Sequence, residues 1–225
     1  FIITPSEYSK QLIQSYGVKT PIVAVSNGID LSKYKKDPKK EEFFRKHFNI
    51  QEGEKVVLCA GLYFRRKGIE DFVEVARRMP DVRFIWLGSI NKWLIPRAIR
   101  RLVEKDHPSN VEFPGYFKGA VFQGAMTGAD AFFFPSYEET EGIVVLEALA
   151  GHQHVVLRDI PVYHGWVDQE SAELCHSVDE FVDSLEKVLS GQVDKRDAGD
   201  RVAQSRSIDL VADQLVKAYQ QVLEM

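Results

Sequence analysis

Short apolar runs recur along this chain, each followed by a stretch with helical spacing, and that alternation most limits its possible folds. The clearest runs are Val56–Ala60 (VVLCA), residues 82–87 (VRFIWL), Ala131–Phe134 (AFFF) and residues 154–157 (HVVL). Residues 111–113 and 172–175 are weaker candidates. Runs this uniformly apolar are those of strands buried on both faces. Between them lie residues 69–79, with Ile69, Phe72, Val73 and Ala76 on one face, then 96–105, 120–127, Ile143–Ala150 and 179–189. Ile208–Leu223 closes the chain with Leu210, Val211, Leu215, Ala218, Tyr219 and Val222 on its apolar side. Strand and helix alternating across short turns predict an α/β fold, a doubly wound and mostly parallel sheet.

The opening stretch differs. Residues 1–4 read as a strand, 6–16 as a helix, 22–25 as a strand, and SNGID as a turn. Residues 33–40 (KYKKDPKK) read as a linker or exposed loop, with a boundary near residue 30. The chain opens FIITPSEYSK, without an initiator Met or a basic leader, and reads as a segment of a larger protein. Its formal net charge of -4, with both signs spread, gives no support for nucleic-acid binding. Cys59 and Cys175 form no C-x-x-C pair, and Cys59 reads as a small hydrophobe in a reducing compartment. No apolar run approaches the ~18 residues of a membrane span.

Ligands of doubly wound sheets sit at the carboxyl ends of the strands, so the turns there carry the chemistry. Residues 135–142 (PSYEETEG) follow the AFFF run and lead into Ile143–Ala150. A helix start offers free N–H groups and a partial positive charge, a place for phosphate. Gly142 lets a ligand approach the backbone closely. Glu139 stands just before that start and Glu147 just over one turn into it. Carboxylates so placed can grip hydroxyl groups on either side of a bound diphosphate. The alternative for Glu138, Glu139 and Glu141 is helix capping. The alternative for Glu147 is a solvated stripe, against which stand its apolar neighbours Val144, Val145, Leu146, Ala148 and Leu149. Residues 61–68 (GLYFRRKG) set three cations between two glycines ahead of a helix. They can clamp a diphosphate, with Lys67 as a point charge and an arginine as a fork, or form an exposed basic turn. Neither G-x-G-x-x-G nor G-K-[ST] is present, which disfavours an NAD-dependent dehydrogenase.

The run FFFPSYEETEGIVVLEALAG resembles the signature of retaining family 4 glycosyltransferases, a Pro-Ser turn leading to a glutamate, seven residues and a second glutamate. TPSEYSKQLI, SNGID, the basic loop, VRFIWLG and NVEFPGY follow in the family's order, so the resemblance covers nearly the whole chain. It implies a GT-B fold, two Rossmann-like domains facing across a cleft. This chain resembles the C-terminal, donor-binding domain (31–207), preceded by the end of the N-terminal domain (1–30) and followed by a helix crossing back to it (208–225).

Carried over by position, the resemblance implies that Glu147 binds the ribose hydroxyls of a nucleotide and Glu139 the transferred sugar. Backbone amides of Thr140, Glu141, Gly142, Ile143 and Val144 hold sugar and phosphates. Lys67, with Arg66 or Arg65, neutralises the diphosphate beside Gly61, and Tyr116 and Phe117 border the base. The donor is a UDP-sugar substrate. No cofactor or metal is expected, and His152 and His154 lack a third ligand spaced nearby. Two departures stand out: Leu62 follows Gly61 where an arginine is common, and GHQHVV replaces Gly-x-Pro-Val-Val.

LRDIPVYHGW and residues 61–88 look most like the bacterial glycolipid synthases, which move glucose from UDP-glucose to diacylglycerol with retention. The acceptor would then be a lipid met through the N-terminal domain. Residues 92–105, basic and amphipathic, suit peripheral contact with an anionic membrane or packing on the sheet. The expected location is the cytoplasm, at the inner face of the cell membrane. A polysaccharide or protein acceptor, or a non-catalytic domain that keeps the fold, are the alternatives. This segment alone is expected to bind UDP-sugar weakly, with little or no transfer.

Overall fold

The computed structural model describes residues 1–224. Six strands form one wholly parallel sheet: β3 (Val56–Ala60), β4 (Arg83–Leu87), β5 (Val111–Gly115), β6 (Ala131–Phe134), β7 (Val155–Arg158) and β8 (Glu173–Cys175). Their spatial order is β5-β4-β3-β6-β7-β8. Every residue of β3, β6 and β7 is buried, as the uniform apolar runs require of strands covered on both faces. The edge strands β5 and β8 are only partly buried, which is why their sequence signal is weaker.

Helices α3 (Ile69–Arg78), α4 (Arg97–Glu104) and α7 (Val178–Leu189) pack together. So do α2 (Pro38–His47), α5 (Ala120–Gly128), α6 (Ile143–Ala150) and α8 (Arg196–Gln204). These are the two helical layers of a doubly wound sheet. Phe72, Phe84, Trp86 and Phe133, all fully buried, fill the core with rings in contact.

A separate parallel pair, β1 (Ile2–Thr4) with β2 (Ile22–Ala24), is joined by α1 (Glu7–Ser15), which Ser6 caps. Helix α9 (Ile208–Leu223) begins beside this segment. Ile29 N–H donates to Arg206 O, and Ile208 N–H to Ile29 O.

The linker expected at residues 33–40 is instead structured. Leu31–Tyr34 is a 3₁₀ turn, and Pro38 opens α2 with Asp37 as its cap. Proline is pre-shaped for a first helical position, so here it starts a helix. Only Phe44 of α2 is buried, so the charged face hid the element. Helix α8 gave no signal either, because it buries only Gly199 and Ala203.

At the carboxyl end of β4, the backbone of Gly88 lies against that of Gly61. A Cβ at Gly88 would stand 1.9 Å from Gly61 O, the same oxygen that accepts from Trp86 Nε1 at 2.9 Å. Neither backbone can yield without disturbing the sheet. Gly88→Ala is therefore expected to cost about 3 kcal/mol in urea unfolding. A loss below about 1 kcal/mol would show that the two backbones are not held in this approach.

Candidate active site

Strand order reverses between β3 and β6, and a crevice opens beyond their carboxyl ends at such a switch point. The loops after these two strands, residues 61–68 and 135–142, are the ones whose composition suggested diphosphate binding. Between them lies a cavity of about 390 Å³.

Helix α6 begins at this cavity. Gly142, at φ 89°, turns the chain into the helix, and a Cβ there would meet the Tyr163 ring at 3.1 Å. Among the described residues no side chain caps α6, so the capping alternative for Glu138, Glu139 and Glu141 does not hold. Each acid has another environment: Glu138 is exposed, Glu139 pairs with Lys67, and Glu141 turns away. The first turn of α6 keeps its unshielded positive end toward the cavity.

Lys67 Nζ donates to Glu139 Oε1, and Ser136 Oγ donates to the same oxygen at 2.7 Å. The pair is nearly buried, with side chains 12% and 9% exposed, and Lys67 Nζ lies 5.2 Å from the centre of the Phe134 ring. An ammonium has three donors, so this contact leaves Lys67 donors for an anion. The turn holding Ser136 is fixed from below. Arg158 donates to Pro135 O at 3.1 Å and to Asp71, and its guanidinium stacks 3.9 Å from the Tyr137 ring.

Glu147 lines the cavity, and its Oε1 accepts from Tyr34 Oη. Burial pushes its carboxyl up from the ordinary 4.5, against the Tyr34 hydrogen bond and the Lys33 charge, which pull it down. Gly61, Arg66, Thr140, Gly142, Ile143 and Val144 line the same space. Tyr116, 71% exposed, and Phe117 close one side, with Phe117 edge-on to Phe48 at 5.5 Å.

Two expected residues are placed otherwise. Arg65 does not line the cavity: its Nε donates to Glu70 at 2.9 Å, and it is largely exposed. Arg66 stays, with Nη1 donating to Glu138 O at 2.7 Å. The Glu141 carboxylate accepts from Ser26 Oγ, Asn27 N–H and Asn27 Nδ2, and pairs with Arg206 at 3.5 Å. Its backbone reaches the cavity while its side chain binds the first segment. Ser6 Oγ and Ser9 Oγ donate to Thr140 O at 2.6 and 3.0 Å, tying the same loop to α1. Tyr34, Ser136, Asn27 and Gly88 were not singled out by the sequence. Ser136 lay within the quoted Pro-Ser turn, whereas Tyr34 lay in the supposed linker.

A larger hollow of about 690 Å³ lies at the opposite, amino end of the strands, against Lys36, Lys55, His152 and His154. It meets the end of α6 rather than its start, so the first turn of α6 does not face it. Among the described residues no group of three or more His, Cys, Asp or Glu side chains is placed to hold a metal ion.

The model of the family "Glycosyl transferases group 1" matches residues 40–205. The chain is 50% identical to the processive diacylglycerol alpha-glucosyltransferase of Acholeplasma laidlawii, over 100% of this chain and 68% of the relative. Its fold matches sucrose-phosphate synthase from Thermosynechococcus elongatus, with a TM-score of 0.85, 20% identity, and coverage of 99% of this chain and 58% of that one. It matches Anabaena HepE in complex with UDP-glucose with a TM-score of 0.85, 17% identity, and coverage of 97% and 63%. The chain thus spans less than two thirds of those solved structures. It belongs to the glycosyl transferases group 1 family, with the doubly wound sheet of a GT-B glycosyltransferase.

Proposed function

We propose that this chain supplies the donor-binding half of a retaining glucosyltransferase that moves glucose from UDP-glucose to diacylglycerol. One observation carries the reading: the uncapped start of α6, Lys67 and Glu147 meet around one cavity at the switch point. Fixed N–H groups and an ammonium are what a departing diphosphate needs. The glycosidic C1–O bond breaks with its electron pair on the diphosphate, where Lys67, Arg66 and the start of α6 hold the charge. The acceptor hydroxyl oxygen bonds to C1 and its O–H bond breaks, the proton passing to the departing diphosphate, with the anomeric configuration retained. Glu139, held by Lys67 and Ser136, faces the sugar, and Glu147 accepts from the ribose. The name of the Acholeplasma relative supports glucose as the sugar and diacylglycerol as the acceptor.

A lipid acceptor brings the enzyme to a bilayer, and one surface suits that contact. The expected apolar stripe of residues 92–105 is split. Ile95 and Ile99 are buried, while Trp93 and Leu94 stand 84% and 69% exposed. The Arg100 guanidinium lies 5.4 Å from the Trp93 ring, and Arg97 is exposed beside them. This turn follows β4, at the same end of the sheet as the cavity. We place it against anionic lipid, on the cytoplasmic side, where the buried free thiols Cys59 and Cys175 stay reduced. No helix among the described residues is long and apolar enough to cross a membrane.

Calorimetric titration with UDP-glucose is expected to show Glu147→Ala and Lys67→Ala each weakening binding about tenfold or more, the value of a charge-assisted contact. Unchanged affinity in both would remove the donor site from this cavity. In the wild type, affinity is expected to fall as pH drops through the raised Glu147 value, above 4.5, because the protonated carboxyl loses acceptor strength. Glu147→Gln is expected to flatten that inflection. An unchanged inflection would assign it to another group. Trp93→Ala with Leu94→Ala is expected to reduce co-sedimentation with phosphatidylglycerol vesicles at least about fivefold. Equal sedimentation would remove the membrane contact from this turn.

A further inference from the structure

Tyr34 is the residue whose position the donor reading does not use. It ends the 3₁₀ turn Leu31–Tyr34, which Asp30 caps through Ser32 N–H at 3.1 Å. Its side chain is 7% exposed. It donates its only O–H to Glu147 Oε1 and does not line the donor cavity, so it stands behind the carboxylate rather than beside a ligand. Among the described residues no donor reaches Glu147 Oε2.

We propose that Tyr34 is a positioning residue for nucleotide recognition: its phenol fixes the Glu147 carboxylate so that the remaining acceptor sites meet the vicinal hydroxyls of a ribose. The assignment rests on the donor reading above. Three physical points support it. A glutamate side chain on a helix has several rotamers, and each unproductive one must be given up on binding. A buried phenol that donates to one oxygen selects one rotamer without using the lone pairs of the other. The hydrogen bond also favours the charged form of a carboxyl whose pKa burial raises. The charge of Lys33, from the same turn, acts in the same direction. Two vicinal hydroxyls are best met by a charged acceptor in a fixed plane, and the turn favours both conditions from outside the cavity.

The test compares UDP with 2′,3′-dideoxy-UDP on the wild type and on Tyr34→Phe, which keeps the ring and removes the donor. Wild type is expected to prefer UDP. Tyr34→Phe is expected to weaken UDP about three- to tenfold, the range of one lost hydrogen bond, and to leave dideoxy-UDP unchanged. In a Glu147→Ala background, where the acceptor is gone, the same change is expected to have little further effect on UDP. If Tyr34→Phe weakens both ligands equally, or neither, the positioning role is overturned while the donor site stands. If the wild type binds both ligands alike, or neither, the ribose reading of Glu147 falls and Tyr34 with it. Should Tyr34→Phe melt early, both titrations are repeated well below its melting midpoint, and equal weakening of the two ligands there also overturns the role.

Discussion

Among the described residues no side chain caps the start of α6, and much of the molecule keeps it that way. The acids that precede it would ordinarily fold back onto its N–H groups. Here Lys67 and Ser136 hold Glu139, and Ser26, Asn27 and Arg206 hold Glu141. Gly142 makes the turn that a side chain would block against Tyr163. The unscreened positive end of the helix is left at the mouth of the crevice, where an anion gains most from it.

The same loop carries a second constraint. Thr140 and Glu141 are bonded to Ser6, Ser9, Ser26 and Asn27, and Arg206 joins them just before α9. The loop before α6, the first segment and the approach to α9 therefore share one hydrogen-bonded knot. The Lys67–Glu139 pair sits nearby with little exposure, a placement that costs desolvation and adds little to stability. The proposed donor site gives that pair a use, as charge held ready for an anion.

Much of the fold was legible because its central strands are covered on both faces and spell unbroken apolar runs. Glu147 was legible for a related reason: a carboxylate among Val144, Val145, Leu146, Ala148 and Leu149 needs a polar reason to be there. Where the chain is charged the pattern failed. Helix α2 buries a single aromatic, Phe44, so no periodicity announced it, and Tyr34 stayed hidden in the same stretch. The choice between Arg65 and Arg66 was not readable either. Residues 65–67 form a 3₁₀ turn, whose three residues point in three directions, so only the folded chain shows which faces the cavity. Glu139 and Glu141, two apart in one loop, likewise face different partners for reasons that lie far away in sequence.

A crystal of this chain soaked with UDP tests the central claim most directly. The expected result is a diphosphate within hydrogen-bond distance of the N–H groups of Ile143 and Val144 and of Lys67 Nζ, with both ribose hydroxyls on Glu147. UDP bound instead in the hollow beside Lys36 and His152, or lying in the crevice with its phosphates away from α6, would contradict it.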